Sequence, residues 1–548
     1  MRKLLLTGFI LSVSCSFVKA QLSEKDHFEI SKQLDIYNAL FKELNLFYVD
    51  SIDVVKTMTD NIDFMLKRLD PYTEYIPEEK LSDFLVITTG EYGGIGTMIH
   101  SDKGKIYISE PHEGMPAAQA GLQPGDVIVE IDGETMEGQS SSYASERLKG
   151  QPNTTVKIQF LRQGEQKPRK TNIVRKRIEI NPVTYYGILP ENTGYIYLAG
   201  FTTHSAQSVK AAFEDLKTKG ITSLIIDVRD NGGGVVEDCL EILNYFVPKG
   251  NLLLTIKGKA RQLDKTYRST QQAIDSLIPL AVLVNHRSAS AAEILAGTLQ
   301  DLDRAVIVGN RTYGKGLVQS PYQLPYNGQL KMTIAKYYIP SGRCIQAIDY
   351  SHRNDDGNAS YIPDSLTSVF YTSKDRPVRD GGGILPDFII EEKKMPAMVY
   401  YLDIENLFFD FVAQWRTKHP VIDYPDQFEV TDEIYGEFTD FLKSKDFNYD
   451  RQSGKALESL KDIMEFEGYA DTAAEEFKAL ENKLKPDLDR DLDLYRSPLS
   501  NLLARQIMKQ YYFAKGEIIY TLRNDDILKK ALETLSDRDL YSGIFNKQ

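Results

Sequence analysis

Apolar residues recur at helical spacing near the start of the chain, at Ile30, Leu34, Tyr37, Phe41 and Leu44, and again at Val55, Met58, Ile62, Met65 and Leu69. This predicts a helical region over 21–85, with Asp70-Pro71 ending the second run because proline disfavours helix in the residue before it. Over 86–177 the pattern shortens. Strand-like pieces at Lys105–Ser109, Val127–Ile131 and Val156–Leu161 alternate with glycine-rich turns, around one helical stretch near Ser140–Lys149. That predicts a small, mostly β module. Over 178–395 continuous apolar runs appear at Leu224–Val228, Leu280–Val284 and Ala305–Val308, as strands buried on both faces require. Helical stretches at Val209–Lys217, Val235–Phe246 and Ala291–Leu299 lie between them, so this region reads as α/β with a largely parallel or mixed sheet. Residues 396–548 turn helical again. Ile404, Leu407, Phe408, Phe411, Val412 and Trp415 form one stripe, and Thr472 with Glu475 fits a capping box. Leu503–Leu522 and Ile527–Leu535 read as further helices. The C-terminal region reads as packing or assembly structure and shows no chemistry.

Composition narrows this picture. A chain of 548 residues exceeds what one hydrophobic core supports, so several domains are expected. Its formal net charge of −13 argues against nucleic acid as partner, which needs a basic face. The first twenty residues read as a signal peptide. Arg2 and Lys3 precede the apolar stretch Leu4 to Val18, and Val18-Lys19-Ala20 supplies a cleavage site before Gln21. Its removal takes away Arg2, Lys3 and Lys19 and leaves −16. The chain is therefore expected to be exported, to the periplasm in a Gram-negative cell, and membrane-associated only if the leader is retained. Of three cysteines, Cys239 and Cys344 remain after the leader. Neither has metal-ligand spacing, and both read as structural. No metal or cofactor is expected.

The candidate chemistry starts at Ser290, in Ser288-Ala289-Ser290-Ala291-Ala292-Glu293-Ile294. A buried strand ends just before it and a helix of small residues begins at it. That turn places a hydroxyl and the next N–H, that of Ala291, where free N–H groups and the helix dipole favour developing negative charge. A plain helix N-cap explains the same serine. His286 and His204 are candidate bases, with no recognisable triad pattern around either. Lys315, in Tyr313-Gly314-Lys315-Gly316, is the other candidate; a surface turn explains the same segment. A free lysine titrates near pH 10.4, so half-neutrality at pH 7 needs about 4.6 kcal/mol of preference for the amine. Burial can supply that shift. An amide such as Gln319 could orient the amine without adding charge. Asn231-Gly232-Gly233-Gly234, after Asp227-Val228-Arg229, could supply a second oxyanion donor or be a flexible turn.

These motifs, taken in order, resemble the C-terminal processing peptidases, or tail-specific proteases. The resemblance runs over roughly 28–392. It includes Leu69-Asp70-Pro71-Tyr72-Thr73-Glu74-Tyr75, the PDZ-like Gly93-Gly94-Ile95-Gly96 and Ala120-Gly121-Leu122-Gln123-Pro124-Gly125-Asp126, the segments around Asp227, Ser290 and Lys315, Ile339-Pro340-Ser341-Gly342-Arg343, and Gly383-Ile384-Leu385-Pro386-Asp387. It implies a multidomain α/β and α+β chain: a crotonase/Clp-like peptidase core with an inserted PDZ domain, flanked by N- and C-terminal helical regions. It implies that Ser290 is the nucleophile, Lys315 the base and Gln319 the residue that positions the lysine. Ala291, with Gly233 or Gly234, would form the oxyanion hole. Asp227 and Arg229 would shape the loop, and Glu293 would be a structural partner.

By the same resemblance, backbone N–H groups at Gly94, Ile95 and Gly96 would take a C-terminal carboxylate, with the peptide adding as a strand. The expected partners are protein or peptide tails as substrate, a second copy of the chain through the helical flanks, and an adaptor protein. Three positions depart from the family. Gly232 stands for a common proline, Ala292 for a frequent serine, and Lys149-Gly150 for Arg-Gly. The C-terminal 150 or so residues carry no resemblance. Two other readings compete with the serine–lysine peptidase: a non-catalytic PDZ scaffold on a peptidase fold, and a Ser–His hydrolase.

Overall fold

The computed structural model describes residues 24–354, 359–391, 395–445, 447, 449, 452–484 and 487–546. The leader expected over 1–20 lies outside them. The described residues form two compact units.

The first unit holds the described part of 1–78 with Ile256–Lys265 and Leu317–Lys336. Its two helices, Glu24–Phe47 and Val54–Lys67, follow the predicted apolar periodicity. Asp53 caps the second, accepting from the Lys56 N–H at 3.0 Å. Much of the apolar stripe faces outward: Leu34, Val55 and Met65 are each more than half exposed. At the Asp70-Pro71 stop, the Asp70 carboxylate accepts from the N–H groups of Tyr72 and Thr73, both at 2.8 Å, and from the Thr73 hydroxyl at 3.0 Å. The strand Glu74–Ile76 then pairs antiparallel with residues 329–331, beside the hairpin formed by 317–323 and 329–336.

The second unit holds Glu79–Thr255, Thr266–Gly316 and, in its described part, 337–548. Its β module is a six-stranded antiparallel sheet containing Thr97–Asp102, Lys105–Pro111, Val127–Ile131, Thr155–Leu161 and Arg169–Val174. The helix Ser141–Leu148 closes a core of Ile95, Ile106, Ile108, Ile128, Val156 and Ile158. A two-stranded stem, Glu91–Gly94 against Lys176–Glu179, carries this module. The stem is tight at Gly93, where an added Cβ would lie 2.1 Å from the Gly150 carbonyl oxygen.

The α/β region is a six-stranded sheet in the order Val183–Leu189, Thr193–Leu198, Ser223–Asp227, Leu280–Val284, Val306–Gly309 and Phe388–Ile389. The first pair is antiparallel and the rest are parallel, as continuous apolar runs require. Leu224 shares one face with Leu216 of the helix Ser205–Thr218. The other face, with Tyr195, Ile225, Leu283 and Val308, packs against Leu528, Ala531, Leu535 and Ile544. Those residues belong to the last two helices, Asp526–Ser536 and Arg538–Ile544. The end of the chain thus supplies one layer over this sheet.

Two details of the C-terminal region differ from the sequence reading. The stripe expected from Ile404 to Trp415 is split between two helices, Ala397–Ile404 and Leu407–Trp415, because Asn406 adopts a left-handed conformation at φ 54°. Ile404 ends up exposed. Thr472 makes no capping box: its hydroxyl donates to the Tyr469 carbonyl at 3.0 Å, and the helix starts at Ala474. Phe408, Phe411, Phe438, Leu503 and Ile507 anchor the aromatic-rich core of this region.

Candidate active site

The strand Leu280–Val284 delivers the chain to Ser290, the N-cap position of the helix Ala291–Asp301. Ser290 adopts φ 55°, ψ −116°, a conformation that costs a non-glycine residue about 1–3 kcal/mol. The surrounding bonds hold it there. The Ser288 hydroxyl donates to the Val228 carbonyl at 2.7 Å, and Ala289 N–H donates to the Asn231 carbonyl at 2.9 Å. The serine loop and the glycine loop are therefore laced together.

Glu293 organises the centre of this site. It is fully buried, one helical turn past Ser290. One carboxylate oxygen accepts from the Ser290 N–H at 2.9 Å and the Lys315 N–H at 2.8 Å. The other accepts from the Thr312 hydroxyl at 2.5 Å and the Gly314 N–H at 2.7 Å. Burial pushes its carboxyl up to about 7, against the pull of these four donors. The Tyr337 hydroxyl adds a second tie, lying against the carbonyls of Ser290, at 3.2 Å, and of Lys315. The segments bearing Ser290 and Lys315 thus share one buried carboxylate and one phenol. The sequence reading gave Glu293 only a supporting part and missed Thr312 and Tyr337. The Ser-x-x-Glu spacing of Ser290 and Glu293 was the available signal, since that spacing lets a glutamate reach back to the N-cap N–H.

Gly233 lies against the serine. A Cβ there would fall 2.7 Å from Ser290 Cβ and 3.0 Å from the Ala291 nitrogen, and its φ of 100° already favours glycine. Its N–H donates to Asn231 Oδ1 at 2.9 Å. An oxyanion at Gly233 would have to displace that bond. Gly234 runs beside Phe201 in an isolated bridge. Gln319 belongs to the other unit, where its side-chain amide donates to Thr333 Oγ1 at 3.1 Å across the hairpin.

The two histidines are occupied elsewhere. His204 Nε2 lies 2.8 Å from Glu91 Oε1 at the foot of the stem, and exposed His286 accepts from Arg287 Nε at 3.4 Å. Cys239 and Cys344 are not joined in a disulfide. Cys239 Sγ donates to the Ala291 carbonyl, and burial pushes its thiol up. Arg343 forms a buried pair with Asp301 at 2.8 Å, and Arg376 clamps Asp303 and Asp387 at 2.6 Å, so these conserve shape rather than react. Gly94 ends the stem strand, and Ile95 and Gly96 link it to the β module's first strand, Thr97–Asp102. Ile95 is buried, its carbonyl accepts from Ala117 N–H, and the Gly96 carbonyl accepts from His112 N–H. Lys149 Nζ sits 5.9 Å from the Tyr92 ring centre.

Three family models match the chain: peptidase family S41 over 192–351, the PDZ domain over 93–173, and the C-terminal helical domain of a probable PDZ-protease over 398–535. The last corrects the expectation that the C-terminal region resembles nothing. The molecule thus has an S41 peptidase fold with a PDZ domain and a C-terminal helical domain. A carboxy-terminal-processing protease of Bartonella bacilliformis is 33% identical over 345 residues, covering 62% of this chain and 79% of that one. A carboxyl-terminal-processing protease of Synechocystis is 35% identical over 293 residues, covering 52% and 68%. A probable CtpA-like serine protease of Staphylococcus aureus is 28% identical over 464 residues, covering 84% and 91%. The chain belongs to the carboxy-terminal-processing protease family of serine peptidases.

Proposed function

We propose that this chain cleaves exported proteins at or near their C-termini, with Ser290 as nucleophile and Lys315 as general base. The observation that carries this reading is the shared carboxylate of Glu293, which binds the backbone N–H of both residues and holds their segments side by side. In the proposed reaction, neutral Lys315 takes the Ser290 proton as Oγ attacks the scissile carbonyl. The Ala291 N–H, with an N–H of the Gly233–Gly234 loop, receives the negative charge that develops on the carbonyl oxygen. The lysine then returns the proton to the leaving amine, and water releases the acyl group from Ser290.

The PDZ domain holds or senses the substrate tail, taking its carboxylate at Gly94–Gly96. The exposed apolar faces of the two N-terminal helices suit association with a second copy. Export rests on the leader at 1–20. Among the described residues, no helix is long and apolar enough to cross a membrane.

The test uses a folded protein carrying an unstructured C-terminal tail. Wild type shortens the tail. Ser290→Ala and Lys315→Ala each abolish shortening while keeping the native thermal transition. His204→Ala and His286→Ala retain it, whereas a Ser–His hydrolase would lose it with one of them. Full activity of Ser290→Ala would overturn the proposal.

A further inference from the structure

Arg229 begins the loop that leads to Gly233. Its guanidinium is clamped from one side by Asp227, with Nε 2.9 Å from Oδ1 and Nη2 2.5 Å from Oδ2. Asp227 is fully buried and accepts from the Tyr195 hydroxyl at 2.7 Å. On the other side, Arg229 Nη1 lies 2.6 Å from Oδ2 of Asp525, nearly 300 residues later in the chain. Asp525 is itself buried. Its other oxygen caps the helix Asp526–Ser536, accepting from Ile527 and Leu528 N–H at 3.0 Å. That helix is fixed to the catalytic sheet by Leu528, Ala531 and Leu535.

From Arg229 the chain of contacts runs directly to the serine. Asp230 exchanges bonds with Asn285, its N–H donating to Asn285 Oδ1 and its carboxylate accepting from Asn285 Nδ2, both at 3.0 Å. Asn231 is buried, donates to the Leu198 carbonyl at 2.8 Å, and holds the Gly233 N–H. Gly233 then abuts Ser290 and Ala291. One end of this loop is thus tied to the nucleophile, and the other to a helix of the C-terminal region.

We propose that Asp525 is a positioning residue for catalysis: acting through Arg229, it fixes the loop that presents one of the two oxyanion donors beside Ser290. This rests on the peptidase reading above. It gives the C-terminal helical region a part in the chemistry without any contact to substrate. The placement matters because misplacing catalytic donors by about 1 Å can cost on the order of 100-fold in rate.

Asp525→Asn is the informative variant. Asparagine caps helices as well as aspartate, so the helix start survives. The charge change leaves Arg229 paired with Asp227, so no buried charge is stranded. In the full-length protein, the expected result has two parts. Backbone amides of 229–235 exchange with solvent faster than in wild type. With the tailed substrate, kcat falls about 10- to 100-fold while KM stays within about twofold, as loss of stabilisation confined to the transition state requires. Asp526→Asn, on the exposed neighbour, should change neither. Unchanged exchange in 229–235, or faster exchange with full kcat, would overturn the proposal. Absence of turnover in wild type would instead sink the peptidase reading, and the exchange measurement would still decide whether Asp525 anchors the loop.

Discussion

Glu293 sets the most direct consequence at the scale of single residues. Its carboxyl titrates near 4.5 when solvated and at about 7 in the fold. The folded state therefore binds the extra proton between those values. The stability this group contributes is complete below about pH 4.5 and is lost as pH rises to about 7, a change of about 3 kcal/mol. Denaturant unfolding of wild type and Glu293→Gln from pH 4.5 to 7.5 checks this: the difference between the two should slope across that window and flatten above it. The same residue sets the limit of what was legible. Ser290, Lys315 and the glycines stand out in sequence as candidates because their residue types can carry chemistry. Glu293 carried only the local Ser-x-x-Glu cue to Ser290; its bonds to backbone groups 21 and 22 residues away leave no mark in sequence. Gly233 makes a sharper test of the site. Gly233→Ala would push a methyl to 2.7 Å from Ser290 Cβ at a φ of 100°. Turnover should drop at least about 100-fold with KM little changed.

At the scale of elements, the buried strands and the helices between them were legible. Period and apolar content decide whether a segment is a half-buried helix or a strand covered on both faces. Leu280–Val284 and Val127–Ile131 begin and end where the pattern places them. The failures came from local backbone conformation. Asn406 turned left-handed and split one expected stripe, and Thr472 bonded backwards instead of capping. The role of the last helices was also hidden. Leu528, Ala531 and Leu535 have the spacing of any amphipathic helix, and nothing in that spacing says which surface they meet. Their burial on the sheet makes a clear prediction. Leu528→Ala should cost about 2–5 kcal/mol in unfolding, the range for truncating a packed core leucine, whereas Lys529→Ala on the solvent side should cost under about 0.5.

At the scale of the whole chain, the order of parts was readable because several weak motifs recur in one sequence of positions. The part without motifs, the C-terminal helical region, proved to be the connecting element of its unit. It meets the PDZ domain through Lys509 and Glu110, 3.2 Å apart, and through Phe409 edge-on to His100. It meets the catalytic sheet through Asp525 and Leu528. Removing the chain from Asp525 onward should therefore abolish soluble expression, rather than free an active core, as fractionation and activity assay of the truncated protein would reveal.

The central claim is that Ser290 is a nucleophile made reactive by Lys315. Labelling with a serine-directed fluorophosphonate, followed by peptide mapping, tests it most directly. The account predicts one label per chain on Ser290 in wild type, none in Ser290→Ala, and labelling slowed at least about 100-fold in Lys315→Ala. Labelling at another residue, or undiminished labelling of Ser290 without Lys315, would contradict it.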